Sequence, residues 1–254
     1  MAYEVQQQLA SQTHSLVAVV VFSRGPSQKA PKWPFLRRII KTLRRRISPK
    51  DSVLRLQHFE ACFEHQARAY FEGHARPPQD WPDEAAIYRT NTVRSAEFIS
   101  WLEGQKIDLL CVAGGPILKD EVLQVPKLGA INMHSSILPA FRGTQAEFWQ
   151  VHNDAYDRAG ITIHKIDAGV DTGAILTQES LNLATIQSPQ MIRAKNQLLA
   201  LEFLPKVAAD MLNGTIQSIA QSPDETTTTF RGKDRTIQAR WQVITKLLQN
   251  GIRP

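Results

Sequence analysis

The chain has 254 residues, 43% hydrophobic and 21% charged, which bounds it to one domain, or one with a small appendage, built around a real core rather than disordered. Its net charge of +6 is unevenly spread: ten basic residues and no acid lie between Val5 and Lys50, so the remainder carries −4. The longest apolar run, Leu16–Phe22, has seven residues, far short of the ~18 of a membrane span; Met1–Gln12 lacks a basic stretch followed by an apolar one, so no secretory signal is expected. Two cysteines, Cys62 and Cys111, make neither a disulfide framework nor a four-thiolate zinc site. A reducing, cytoplasmic setting is expected.

In chain order, Met1–Gln12 reads as a helix and Leu16–Phe22 as a β-branched strand buried on both faces, as in parallel sheets. After Pro26, Pro31 and Pro34, the apolar residues Leu36, Ile39, Ile40, Leu43 and Ile47 recur at three- and four-residue steps with basic residues between them. That spacing predicts an amphipathic helix over Phe35–Ile47 with a cationic face. The face has two readings, an anion contact or a solvated helix surface; no finger, basic zipper or aromatic RNA-binding motif accompanies it. Ser48-Pro49 reads as its end, Val53–Phe71 as a second helix, and Pro77, Pro78 and Pro82 as a loop.

From there strands are expected at Ala86–Arg89, Ile107–Ala113, Gly129–His134, Ile161–Ile166 and Ala174–Glu179. Helices are expected at Arg94–Glu103, Val122–Val125, Gln145–Asn153 and Met191–Leu212. This alternation predicts a doubly wound, mostly parallel α/β sheet. A polar, Thr-rich tail follows Gly214, with a last helix at Thr236–Leu248.

Ligands of open α/β sheets gather at the carboxyl ends of strands. Asn132 and His134, two apart near the end of Gly129–His134, point to one side, and Asp171 lies in the loop Asp167–Gly173. Imidazole shuttles protons near neutral pH, a carboxamide donates to an oxyanion, and a carboxylate orients an imidazole and raises its pKa. With no Ser or Cys in a nucleophile elbow, direct transfer to an external nucleophile is favoured over a covalent intermediate. A lone His after a strand is more often structural. His164, alternating with Ile161, Ile163 and Ile166, reads as a structural or supporting residue, with a site role open. His58, Cys62, His65 and His74 lack partners for a tetrahedral set, so no metal is expected, and Gly114-Gly115 is no dinucleotide fingerprint.

INMHSSILPAFRG (Ile131–Gly143) and GITIHKIDAGVDTGAIL (Gly160–Leu176) closely resemble the folate-dependent formyltransferase family, which includes methionyl-tRNA, glycinamide ribonucleotide and sugar-amine members. The matching residues are Asn132, His134, Ser136, Leu138, Pro139, Arg142, Gly143, Asp167, Gly169, Asp171 and Gly173. The resemblance implies a formyltransferase-type Rossmann variant over 1–213, with a basic helical insert at about 31–82 and a short extension over 214–254. It implies formyl transfer from 10-formyltetrahydrofolate to an amine. Asn132 and protonated His134 would stabilise the oxyanion, and Asp171 would hold His134 and a water for proton transfer. Gly115, Ile117, Leu118, Asp167 and Val170 would contact the donor, and Ser136, Arg142 and Gly143 the acceptor.

The chain departs from the family pattern at Ser135 and Phe141, and more deeply at its start. The family's opening strand and glycine loop have no equivalent after Met1, so a start downstream of that strand is expected, with two sheet strands left without the neighbour between them. Thr215–Pro254 is also too short for the barrel of the tRNA-acting members. A small acceptor, phosphorylated or nucleotide-linked, is therefore expected, and nucleic acid is not. Two alternatives stay open: hydrolysis of 10-formyltetrahydrofolate, and a folate-binding or scaffold protein with weak catalysis.

Overall fold

The computed structural model describes residues 14–22, 49–75, 85–224 and 227–253. The expected helices Met1–Gln12 and Phe35–Ile47 and the proline loop at 77–82 lie outside them. The strands are β1 (Ala18–Phe22), β2 (Ala86–Thr90), β3 (Leu110–Ala113), β4 (Ala130–His134), β5 (Arg142–Gly143), β6 (Gly160–Lys165), β7 (Ile175–Ser180) and β8 (Thr229–Phe230). The helices are α1 (Pro49–His74), α2 (Ala96–Gly104), α3 (Asp120–Leu123), α4 (Ala146–His152), α5 (Pro189–Asn213) and α6 (Ile237–Gln249). No helix among the described residues is long and apolar enough to cross a membrane.

Local chemistry sets the helix ends. Ser95, Ser188 and Thr236 each accept, through the side-chain oxygen, the backbone N–H three residues on, capping α2, α5 and α6. α5 stops at Gly214, whose left-handed backbone favours glycine. Pro49 opens α1, because its missing N–H is unneeded in the first turn and its fixed φ suits a helix start.

The fold is a mixed α/β sheet architecture. β1 pairs in parallel with β2, and β3 with β4. The main sheet has the order β3-β4-β6-β7, with β6 antiparallel to both β4 and β7. The nine residues between β6 and β7 are too few for a parallel crossover, which takes a dozen or more, so β7 turns back on β6. Among the described residues no ladder joins β1 to β3. Val20 and Leu110 instead pack on one cluster with Val93, Phe98, Leu102 and Val122.

α5 lies across the sheet. Leu204, Val207 and Ala208 meet Ile131 and Ile163, while Ile192 joins a second cluster with Leu56 and Phe63 of α1, Phe148 and Val151 of α4, and Val243, Ile244 and Leu247 of α6. The polar tail is therefore built in: Ile219 bridges to Ile175, β8 pairs with β5, and α6 closes the helical core.

Candidate active site

Antiparallel pairing places Asn132 opposite His164 and His134 opposite Thr162. Residues directly opposite share a face of the sheet, so three polar side chains converge on one patch. The Asn132 Nδ2 is 3.3 Å from His164 Nε2 and donates to Asp171 Oδ1 at 3.5 Å. His164 Nδ1 donates to the Lys165 carbonyl at 2.8 Å, leaving Nε2 facing Asn132 and, at 3.5 Å, Asp171. His134 is 6% exposed; its Nε2–H donates to the Phe141 carbonyl at 2.9 Å, and its Nδ1 lies 3.4 Å from Asp171 Oδ2. That same oxygen accepts the Gly143 N–H at 2.8 Å.

Asp171 reaches this patch because its loop is folded back and pinned. Asp167 Oδ1 accepts from the Gly169 N–H (3.0 Å) and from the Thr172 hydroxyl (2.6 Å). A Cβ on Gly173 would overlap the Lys165 carbonyl oxygen. Asp171 has φ +52, a left-handed conformation that a non-glycine residue holds only when its surroundings enforce it. Gln221 supplies part of that enforcement. Its Nε2 donates to the carbonyls of Asp171 and Gly173, both at 2.8 Å, and its Oε1 accepts from Arg142 Nε (3.2 Å) and Nη2 (2.6 Å). Gly143, at φ +90, lies so close under Phe230 that a Cβ would overlap that residue's carbonyl oxygen. The Phe230 ring stacks on Trp149 with centroids 4.2 Å apart and on Phe141 at 6.0 Å.

Electrostatics divide the two central groups. Burial pushes the His134 imidazole below its ordinary 6.5, outweighing the attraction of Asp171 and the bond to Phe141. The rise expected from Asp171 is thus present, but burial outweighs it. Burial also opposes charge on Asp171, but the His164 hydrogen bond, the nearby His134 and the Gly143 N–H hold its carboxyl at about 2.

The other expected site residues fall into two sets. Gly115, Ile117 and Leu118 follow β3, the strand beside β4; Ile117 is 66% exposed, whereas Leu118 packs on the core. Asp167 and Val170 sit on the folded-back loop, with Val170 38% exposed and Asp167 engaged as the loop's own acceptor. Ser136 is fully buried and donates to the Ala140 carbonyl at 3.2 Å, so its hydroxyl ties the turn instead of facing a ligand. Arg142 is likewise committed to Gln221, and Gly143 to Asp171. Sequence reasoning missed Gln221 and Phe230, which carry no periodic signal, and left His164 undecided, since its role depends on strand register.

A sheet of this order carrying a carboxamide, an imidazole and a carboxylate around β4 defines a formyltransferase-type Rossmann fold. The same fold is found in a sugar N-formyltransferase from Shewanella sp. FDAARGOS_354, with a TM-score of 0.52 and 16% identity, covering 76% of this chain and 83% of that one. A family model described as Formyl transferase matches residues 42–208, and the chain belongs to that family. It is 34% identical over 161 residues to a methionyl-tRNA formyltransferase from Synechococcus sp. (strain JA-3-3Ab), covering 63% of this chain and 50% of that protein. A methionyl-tRNA formyltransferase from Staphylococcus epidermidis (strain ATCC 35984) is 30% identical over 170 residues, 66% of this chain and 54% of that one. The chain thus spans about half the length of the curated relatives it matches.

Proposed function

We propose that the chain is an N-formyltransferase, moving a formyl group from 10-formyltetrahydrofolate to a primary amine of a small acceptor, phosphorylated or nucleotide-linked. The convergence of Asn132, His134 and Asp171 in a member of the formyl transferase family is the observation that carries this reading. The attacking amine nitrogen bonds to the formyl carbon, and Asn132 Nδ2 donates to the oxygen that gains charge. His134, neutral with its Nδ1 lone pair toward the site, takes the proton shed by the attacking nitrogen and returns it to the departing one. Asp171 stabilises the imidazolium in between. Among the described residues the Asn132 Nδ2 makes long contacts, of 3.3 and 3.5 Å, as befits a donor that tightens once substrate is bound.

The exposed apolar side chains of Ile117 and Val170 suit a flat heterocycle, with Gly115, Leu118 and Asp167 as the accompanying donor contacts. In this reading 1–213 is the catalytic domain, with a basic insert at about 31–82, and 214–254 completes it. The methionyl-tRNA formyltransferase relatives supply a second acceptor class, an aminoacyl amine on RNA.

The test is product analysis with 10-formyltetrahydrofolate and a panel of sugar-nucleotide amines, phosphorylated amines and methionyl-tRNA. A formamide and tetrahydrofolate formed together from a small amine, and lost in His134→Ala, are expected. Formate released without any dependence on amine would mark a hydrolase. Formylation of methionyl-tRNA alone would move the acceptor to the second class.

A further inference from the structure

The turn that follows β4 carries, at Phe141, the carbonyl that accepts the His134 Nε2–H, and the neighbouring strands hold that turn in shape. Thr162 of β6 lies opposite His134, and Gln178 of β7 lies opposite Thr162, so the three form a row on one face of the sheet. Thr162 is fully buried. Its hydroxyl donates to the Ser136 carbonyl at 2.6 Å and accepts from the Leu138 N–H and from Gln178 Nε2, both at 3.0 Å. A hydroxyl has one donor and two acceptor positions, and all three are used. Gln178 Nε2 also donates to the Leu138 carbonyl at 2.8 Å. The hold continues along the turn, because the Ser136 hydroxyl donates at 3.2 Å to the carbonyl of Ala140, the residue before Phe141.

Phe141 has φ +54, a left-handed backbone that a non-glycine residue keeps only under constraint. Released from the turn's bonds, it would relax and turn its carbonyl away from His134. The consequence falls on the imidazole. A neutral ring has one proton for two nitrogens, and the partner of each nitrogen decides where that proton sits. Two acceptors compete for it: the Phe141 carbonyl, 2.9 Å from Nε2, and Asp171 Oδ2, 3.4 Å from Nδ1 and already receiving the Gly143 N–H. The shorter contact is the stronger one, and it prevails while the turn is held. A proton on Nε2 leaves the Nδ1 lone pair for the reaction. A proton on Nδ1 would leave the lone pair at Nε2, facing a carbonyl oxygen that has no proton to give.

We propose that Thr162 is a positioning residue for His134: its hydroxyl shapes the turn that keeps the imidazole proton on Nε2 and the lone pair on Nδ1. Thr162 touches no reacting atom and acts through Ser136, Leu138 and the Phe141 carbonyl. Its effect on turnover rests on the formyl-transfer reading above. Its effect on the tautomer does not, and is measured without substrate.

Proton–nitrogen correlation spectra of the histidine rings test this, on the isotope-labelled full chain at about pH 8, above the ordinary imidazole pKa. The His134 signals are assigned by their loss in His134→Gln. The wild type is expected to show a protonated Nε2 and a bare Nδ1. Thr162→Val keeps the shape and removes the hydroxyl. It should raise the Nδ1–H form relative to the Nε2–H form by roughly tenfold, the size of one net hydrogen bond. It should also lower kcat roughly tenfold, with KM within about twofold. Thr162→Ser, which retains the hydroxyl, should restore both. A hydroxyl that only stabilised the fold would lower the melting temperature in Thr162→Val and leave the tautomer unchanged; that result overturns the proposal. A wild-type ring protonated on Nδ1, or a shifted tautomer with unchanged kcat, overturns it as well. Should the wild type transfer no formyl group, the proposed function falls and the tautomer comparison alone decides the role of Thr162. If circular dichroism shows that Thr162→Val does not fold, Gln178→Leu, at an exposed position, carries the same comparison: a shifted tautomer supports the proposal and an unchanged one overturns it.

Discussion

His134 and Asp171 are both buried, yet they resolve that cost in opposite ways. Burial lowers the imidazole's pKa despite two contacts that oppose it, whereas three neighbours outweigh burial at the carboxylate and favour its charged form. His134→Ala is expected to lower kcat by ~10²–10⁴-fold, as for a lost acid–base group, and Asn132→Ala by roughly 10²–10³-fold, as for a lost oxyanion donor. A change confined to KM would make Asn132 a binding residue. The pKa directions also fix how stability follows pH. For Asp171, lowered from 3.8 to about 2, the contribution is full above 3.8, shrinks as pH falls below it and is gone once pH passes about 2. It is on the order of 2 kcal/mol. Asp171→Asn should remove that acid-labile component from denaturant unfolding measured across the window. For His134, also lowered, stability is full above the ordinary 6.5 and declines as pH drops beneath it. His134→Gln should flatten the slope just under 6.5, and the wild-type acid limb of kcat/KM should have its midpoint below 6.5.

At the scale of elements, the loop between β6 and β7 decides whether the carboxylate meets the imidazole. Gly173→Ala drives a methyl group into the Lys165 carbonyl, and overpacking of this kind costs about 1–3 kcal/mol. Because the strain falls two residues from Asp171, activity should drop far more than the melting temperature. Gln221→Ala removes four hydrogen bonds joining the tail, Arg142 and the loop. Thermal unfolding should fall by a few degrees, about 2–4 °C for each kcal/mol lost in a chain of this size, and kcat should fall roughly tenfold as Asp171 loosens. Normal kcat in Gln221→Ala would show that Asp167 and the backbone hold the loop unaided.

For the whole molecule, the question is whether the residues after Gly214 are an appendage. Ala239, Val243, Ile244 and Leu247 are buried in the same cluster as Leu56, Phe63 and Ile192. Burying a Val, Leu or Ile side chain contributes about 1.5–3 kcal/mol, so loss of α6 removes an amount comparable to the ~5–15 kcal/mol that stabilises an ordinary domain. Truncation after Gly214 is expected to yield an aggregated chain without cooperative unfolding. A soluble, active truncation would return the tail to the status of an extension.

The α/β alternation, the positions of β2, β4, β6, β7, α5 and α6, and the Asn132, His134 and Asp171 candidates were legible in the sequence. Each rests on short-range information: a 2.0 or 3.6 residue period, a capping Ser or Thr, a glycine stop, or a motif continuous along the chain. The direction of β6, the partnership of Asn132 with His164, and the use of Gln221 and Phe230 were not legible. Strand register and tail docking are set by contacts between residues far apart in sequence, which leave no local period. The same holds for the direction in which the His134 pKa moves. Sequence spacing put an acid nearby and so implied a raised pKa, but desolvation depends on how completely the surrounding chain closes over the ring, and only the folded structure fixes that.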